Sequence, residues 1–328
     1  MDIILNTFGT ALNRDNEGFV ISNKDGRQRV PVQGIRSIQV GRGAQITSDA
    51  ILMAIEHEIE VIFTDRTGDP KGRIWSSQYG SISTIRKGQL AFTASSRAMS
   101  WIRDVLVQKV SNQQAILLML PDTGQDADNA YRERAIARLE EFRNKLQQVA
   151  DGNLVADVAA QLRGYEGSAS KIYFDTICQF IPEQYRFEGR SQHPAMDVFN
   201  ALLNYGYGIM YGRIEGELIK AGIDPYIGVL HRDEYNRPVL VYDVIELYRA
   251  WVDYVVCNLV CQRIINDEYF SKGEDGSCWL EPLGRRVLIQ SVNDYLEELV
   301  EVKNLTRSRS TQIQLYAQNL AQTFKQFQ

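Results

Sequence analysis

No apolar run in the chain approaches the roughly 18 residues that a bilayer span needs; stretches such as Ala115 to Leu120 fall far short. The start of the sequence shows no basic-then-apolar signal segment, so a cytoplasmic protein without membrane attachment is expected. Cysteine is scarce. The four present, Cys178, Cys257, Cys261 and Cys278, form no paired CxxC hooks, which argues against a disulfide framework or a zinc ribbon. Cys257 and Cys261 share a helix face within an apolar run and are expected to be buried thiols. Positive charge is not in excess either. With 36 Lys and Arg against 41 Asp and Glu, the net charge is −5. Such a balance excludes a surface coated uniformly for non-specific duplex binding and leaves room only for a local basic patch. No internal repeat or low-complexity tract stands out.

What is present is an ordinary globular balance, 44% hydrophobic and 23% charged, over 328 residues, a length that suggests two domains. Short strand-like runs come first: Ile3 to Thr7, Gly18 to Ser22, Gln28 to Val32, Ser37 to Val40 and Glu60 to Thr64. Asn23 to Gly26 supplies a hairpin turn. One helix interrupts them, capped by Thr47 or Ser48, with Ile51, Leu52, Ile55 and Ile59 spaced for a buried face. Beyond Gln89 the texture turns to amphipathic helices near 93–110, 127–149, 153–163, 165–180, 197–221, 239–266, 284–303 and 309–327. Tyr269 to Ser277 reads as a loop. The expected class is α+β, with a β-rich N-terminal domain over 1–85 and a larger all-α domain over 86–328.

Chemistry concentrates between Gly164 and Arg249, in Gly164-Tyr165-Glu166-Gly167, in His193-Pro194 followed by Asn200-Ala201-Leu202-Leu203-Asn204-Tyr205-Gly206-Tyr207, in Gly228-Val229-Leu230-His231 and in Asp243-Val244-Ile245-Glu246. Asp243 and Glu246 stand three apart, so in a helix their carboxylates share a face. Among apolar neighbours such a pair needs a cation or hydrogen-bond donors. A divalent metal meets that need, with His231 offering a neutral nitrogen and Glu166 another oxygen, a set suited to Mn2+ or Mg2+. Taken alone, however, the pair reads equally as a solvated face or as ion-pair partners of Arg249. A lone histidine at a loop end is as readily structural.

In this order, on a chain built as a β domain followed by an α domain, these motifs resemble the CRISPR-associated protein 1 family over nearly the whole length. The resemblance implies a metal-dependent DNA endonuclease and integrase. Such an enzyme inserts spacer DNA into a CRISPR array by transesterification from a 3′-hydroxyl. It further implies metal ligation by Glu166, His231 and Glu246, with Asp243 as a supporting carboxylate, and a homodimer that works with a dimer of CRISPR-associated protein 2 on prespacer and repeat DNA. The β-rich domain, which has no evident chemistry, is the expected dimer contact. Candidate DNA contacts are Arg163, Tyr165, Lys171, Asn200, Asn204, Tyr207, Arg232, Arg237 and Arg249, although Asn200 and Asn204 also suit a polar seam between packed elements. The alternatives are a non-catalytic DNA-end-binding scaffold of the same fold and a metal-dependent hydrolase of a small molecule.

Overall fold

The computed structural model describes all residues except 1, 25, 36, 65–69, 75–81, 122–125, 151, 153, 193, 232–236, 303–304 and 328; residues 2, 70 and 302 are described by backbone alone. Two compact units divide the chain, Met1–Gly80 and Ser81–Gln328.

In the first unit, strands β1 (Asp2–Leu5), β5 (Ser37–Val40), β7 (Glu60–Thr64) and β8 (Pro70–Arg73) form one four-stranded sheet in the order β1-β5-β7-β8. A second sheet runs β4 (Gly26–Pro31), β3 (Gly18–Asn23), β2 (Ala11–Arg14), β6 (Gln45–Ile46). Alternation sets which side of each strand is buried: in β5, Ile38 and Val40 face inward while Ser37 and Gln39 do not. The β3–β4 hairpin pairs Asn23 with Gly26; Asp25 of its turn lies outside the described residues. Helix α1 (Ser48–Glu56) is capped by Thr47, whose side chain accepts from the Ala50 N–H at 3.3 Å. Its buried side is Ala50, Met53 and Ala54; of the expected stripe, Ile59 is buried just beyond the helix, Ile51 and Ile55 are half-buried and Leu52 is 54% exposed. The two alanines let the helix lie close to its neighbours, which larger side chains on that face would prevent.

The second unit contains α2 (Ile82–Thr93), α3 (Ser96–Met119), α4 (Asp126–Gln147), α5 (Val155–Phe180), α6 (Val198–Lys220), α7 (Val239–Ile245), α8 (Arg249–Cys261), α9 (Pro282–Glu297) and α10 (Arg309–Gln326). Helix α2 belongs wholly to it, so a boundary at 85/86 cuts through a helix. Helix α3 packs on α4, α5 and α8, and α6 packs on α7, α8 and α9. The expected break at Gly164 is absent. A glycine costs a helix roughly 1 kcal/mol, less than the burial of Leu162, Ala169, Tyr173, Ile177 and Phe180 returns along the continuous face of α5. Conversely, the single helix expected over 239–266 ends at Ile245 and restarts at Arg249. Two short hairpins escape the periodicity, β9 (Phe270–Lys272) with β10 (Cys278–Leu280) and β11 (Leu299–Val302) with β12 (Leu305–Ser308). Strands this short carry too few alternations to register. Cys257 is buried as expected, Cys261 at the helix end is only half-buried, and all four cysteines are free thiols. Among the described residues, no helix is long and apolar enough to cross a membrane.

Candidate functional site

The site is assembled in the second unit from α3, α5, α7 and the loop ahead of α7. Asp243 is fully buried on α7 and accepts hydrogen bonds from the backbone N–H groups of Val229 at 2.6 Å, Leu230 at 3.2 Å and His231 at 3.2 Å. It also holds the His231 ring, with Nδ1 2.8 Å from Oδ1. One carboxylate thus folds a loop around itself and fixes an imidazole. With Nδ1 donating to Asp243, Nε2 is left as the lone-pair nitrogen, an arrangement frequent behind metal-ligating histidines. Arg163 on α5 tethers the same loop by donating to the Leu230 carbonyl at 2.7 Å.

Glycine at 228 is required by this loop. A Cβ there would lie 2.4 Å from the His231 carbonyl oxygen and 3.0 Å from Val239 Cγ2. Gly228→Ala is therefore expected to lower the unfolding free energy by about 1–3 kcal/mol and to loosen the His231 ring, as read by urea denaturation and by the histidine ring resonances in NMR. An unchanged midpoint with an unchanged ring environment would refute this.

Glu246 caps α7 rather than continuing it, so the two carboxylates of the Asp-x-x-Glu motif serve different partners. The Glu246 side chain is 7% exposed, with Arg249 Nε 2.8 Å from Oε1 and Lys109 Nζ 2.5 Å from Oε2. The Lys109 ammonium also contacts Glu166 Oε1 and so bridges the two glutamates. Ser170 donates to that same Glu166 oxygen at 3.0 Å. Glu246 Oε2 is buried and has the Lys109 ammonium against it. Burial alone would raise the Glu246 pKa, but Arg249 and Lys109 together pull it down to about 2. For Lys109, burial favours the neutral amine, and Glu246 and Glu166 outweigh it and raise the pKa. His231 follows the same logic: burial lowers its pKa, but the bond to Asp243 and the charges of Asp243 and Glu246 raise it above the ordinary histidine value.

Among the described residues, no three His, Cys, Asp or Glu side chains already converge on a single point. The donor set nevertheless fits a hard divalent cation. Two carboxylates reach one shared cationic atom, one of their oxygens is buried, and an oriented imidazole lies close enough to feel the Glu246 charge. Glu166, Glu246 and His231 would hold such an ion, and Asp243 would act through His231.

The candidate DNA contacts divide. Asn200 is fully buried; it donates to the Gly189 carbonyl at 2.9 Å and accepts from Arg190, which also donates to Asn204 at 2.9 Å. These two asparagines hold the 189–191 segment against α6, which is the polar seam and not a surface for phosphate. Tyr207 is also buried. It donates to Asp253 at 2.5 Å, as Tyr173 does at 2.8 Å, and burial raises the Asp253 pKa to about 6. Arg249 is spent on Glu246 and Tyr211, with its guanidinium 4.7 Å from the Tyr207 ring centroid. Asn200, Tyr207 and Arg249 are thus struts of the site, because their polar groups find partners inside the helix packing. Lys171, Arg163 and Arg237 are exposed, with Lys171 3.8 Å from Asp175. Tyr165 is half-buried and its hydroxyl accepts from Gln161. Arg232 lies outside the described residues.

Lys109 was not expected, yet a signal for it exists. On α3 the buried stripe runs Ile102, Val105, Leu106, Lys109, Val110, Gln113, Ile116, Leu117. A lysine and a glutamine interrupt an otherwise apolar face, which calls for buried partners.

The model of the family described as CRISPR associated protein Cas1 matches residues 3–294. The CRISPR-associated endonuclease Cas1 1 of Archaeoglobus fulgidus is 30% identical over 98% of this chain and 95% of its own length. The CRISPR-associated endonuclease Cas1 2 of Rhodospirillum rubrum is 30% identical over 88% of this chain and 84% of its own. A solved CAS1 protein from Thermotoga maritima shares the fold with a TM-score of 0.76 at 20% identity, covering 98% of this chain and 96% of that one. A casposase bound to integration product shares it with a TM-score of 0.65 at 20% identity, covering 100% and 96%. A chain of a Cas6-RT-Cas1–Cas2 complex gives 0.77 at 21% identity, but this chain spans only 35% of that longer one. With a family model over most of its length and a relative of 30% identity across nearly all of it, this chain belongs to the CRISPR associated protein Cas1 family.

Proposed function

We propose that this protein is a metal-dependent DNA endonuclease and integrase that inserts spacer DNA into a CRISPR array. The observation that carries it is the pairing of an imidazole fixed by Asp243 with two glutamates that share one cation. The endonuclease names of the relatives support the reading. When bound, Mn2+ or Mg2+ would raise the nucleophilicity of an attacking oxygen and offset charge building on phosphate.

The chain's own residues do the rest. Glu166 and Glu246 supply negative charge at a place where burial strengthens it, and Asp243 keeps the His231 tautomer and ring angle fixed. Arg163, Lys171 and Arg237, exposed around the site's helices and loop, offer positive charge for the backbone of bound DNA. In the reaction, the 3′-hydroxyl oxygen of the incoming strand forms a bond to a phosphorus at the repeat edge. The bond from that phosphorus to the target's 3′ oxygen breaks, and the proton of the attacking hydroxyl ends on the released 3′ oxygen. Water in place of the hydroxyl gives cleavage.

DNA and CRISPR-associated protein 2 are the proposed partners, in line with the integration product and the Cas1–Cas2 assembly of the structural neighbours. The β-rich unit is proposed as the homodimer contact; Ile4, Phe8 and Leu52 are exposed there, apolar side chains that a second copy would cover.

The test is joining of a short duplex with free 3′-hydroxyls to a supercoiled repeat-bearing plasmid, with the partner protein present. Wild type should join strands with Mn2+ and stop in EDTA. Joining that survives EDTA would overturn the metal-centred reading, and DNA binding without joining under any metal would favour the scaffold.

A further inference from the structure

We propose that Lys109 is a built-in competitor for the metal: a tethered ammonium that bridges Glu166 and Glu246 in the metal-free protein and must give way when a divalent cation binds. The inference rests on the proposed metal site and deepens it by naming a residue that sets how tightly that site binds.

The physical case starts from charge and burial. Lys109 stands on the buried face of α3, its side chain 8% exposed, and a buried ammonium is tolerated only when paired. Here it is paired twice, to carboxylates from α5 and from the end of α7. With Arg249 on Glu246, the metal-free cluster of two glutamates, one lysine and one arginine is neutral. A dication placed among the same oxygens would meet a unit positive charge held a few ångströms away in a weakly screening interior. Either the metal binds poorly or the ammonium moves.

The side chain can move. Lysine carries its charge on a flexible four-carbon stem, unlike the rigid guanidinium fork. Glu166, one of its two partners, is 29% exposed against 7% for Glu246, so the cluster opens to solvent on that side. One helical turn along α3, the Gln113 Oε1 atom is buried and has no hydrogen-bond partner among the described residues, an acceptor in the neighbourhood of a displaced ammonium. The protein thereby avoids leaving two carboxylates uncompensated when no metal is present, at the expense of metal affinity. Binding then exchanges one cation for another, and the apparent dissociation constant is the intrinsic one divided by the fraction of protein in which the bridge is open.

The experiment is calorimetric titration of Mn2+ into the full-length protein without DNA at pH 7.5, comparing wild type, Lys109→Met, Lys109→Arg and His231→Ala. Lys109→Met should bind Mn2+ at least tenfold more tightly than wild type. Its melting temperature should start lower without metal and rise further on Mn2+ addition. Lys109→Arg, which keeps the charge, should stay near wild type. Lys109→Gln serves as the second neutral variant should the methionine variant fail to fold, with the same tightening expected. Equal or weaker Mn2+ binding in the neutral variants, alongside weakened binding in His231→Ala, would overturn the competitor role while leaving the metal site in place. Unaltered Mn2+ binding in His231→Ala would overturn the metal site and the competitor together.

Discussion

His231→Ala should slow strand joining and DNA cleavage by about three orders of magnitude, corresponding to ~4 kcal/mol of lost transition-state stabilisation. DNA affinity and folding stability should change little. The ring is about one-third exposed, 32%, and its internal contacts are the bond to Asp243 and an edge-on approach to Tyr242. Removing it leaves Asp243 with three backbone donors, so no buried carboxylate is stranded. Chemistry and stability should therefore separate in this variant. Joining rates measured beside guanidinium denaturation check it, and joining within tenfold of wild type would sink the role given to His231. The wild-type reaction should also fail on acidification. Only the neutral imidazole can ligate, and Asp243 and Glu246 raise the His231 pKa above its ordinary value. Metal affinity and activity should thus fall as pH drops through that raised value.

Glu246→Ala should destabilise the protein itself, by about 3–5 kcal/mol at pH 7, because it leaves Arg249 without a carboxylate and takes one of two from Lys109 inside the helix packing. The pH dependence has a definite sign. Glu246 is held at about 2 against an ordinary value of 4.5, so its contribution is complete above the unfolded value and is lost as pH falls through the folded one. Linkage puts that contribution at about 3 kcal/mol. Between pH 7 and 5 this group contributes no change, and from pH 5 to 3 the urea midpoint should fall more in wild type than in Glu246→Ala. Combining Glu246→Ala with Arg249→Met should recover part of the loss, since Lys109 keeps Glu166 and the double variant buries no guanidinium without a carboxylate. A double variant no more stable than Glu246→Ala alone would show that Arg249 is not held by Glu246.

The order of the chain was legible without coordinates, because period-two and 3.6-residue patterns are local properties of side-chain sequence. Short alternating runs such as Ser37 to Val40 became strands, and the stripes beyond Gln89 became helices. So was the set Glu166, His231, Asp243 and Glu246, since each stands in a short motif. Helix breaks were less legible. Nothing local ends α7 at Ile245; the turn there carries Glu246 toward α3, where Lys109 waits.

Roles were decided only in three dimensions. Asp243 and Glu246 are equivalent in spacing, yet one closes a backbone loop around itself and the other joins an ion-pair cluster, because the partners come from different elements. Asn200, Tyr207 and Arg249 carry polar groups that suit DNA in the sequence, and the packing of α6 against α8 buries or engages all three. Lys109 is 57 residues from Glu166 in the chain. By itself the sequence determined the family and the β-then-α order, both written in local pattern, and it singled out the candidate residues Glu166, His231, Asp243 and Glu246. The tertiary structure alone decided which polar groups are desolvated and which charges meet, because electrostatic partnership depends on distance through space and on exclusion of water.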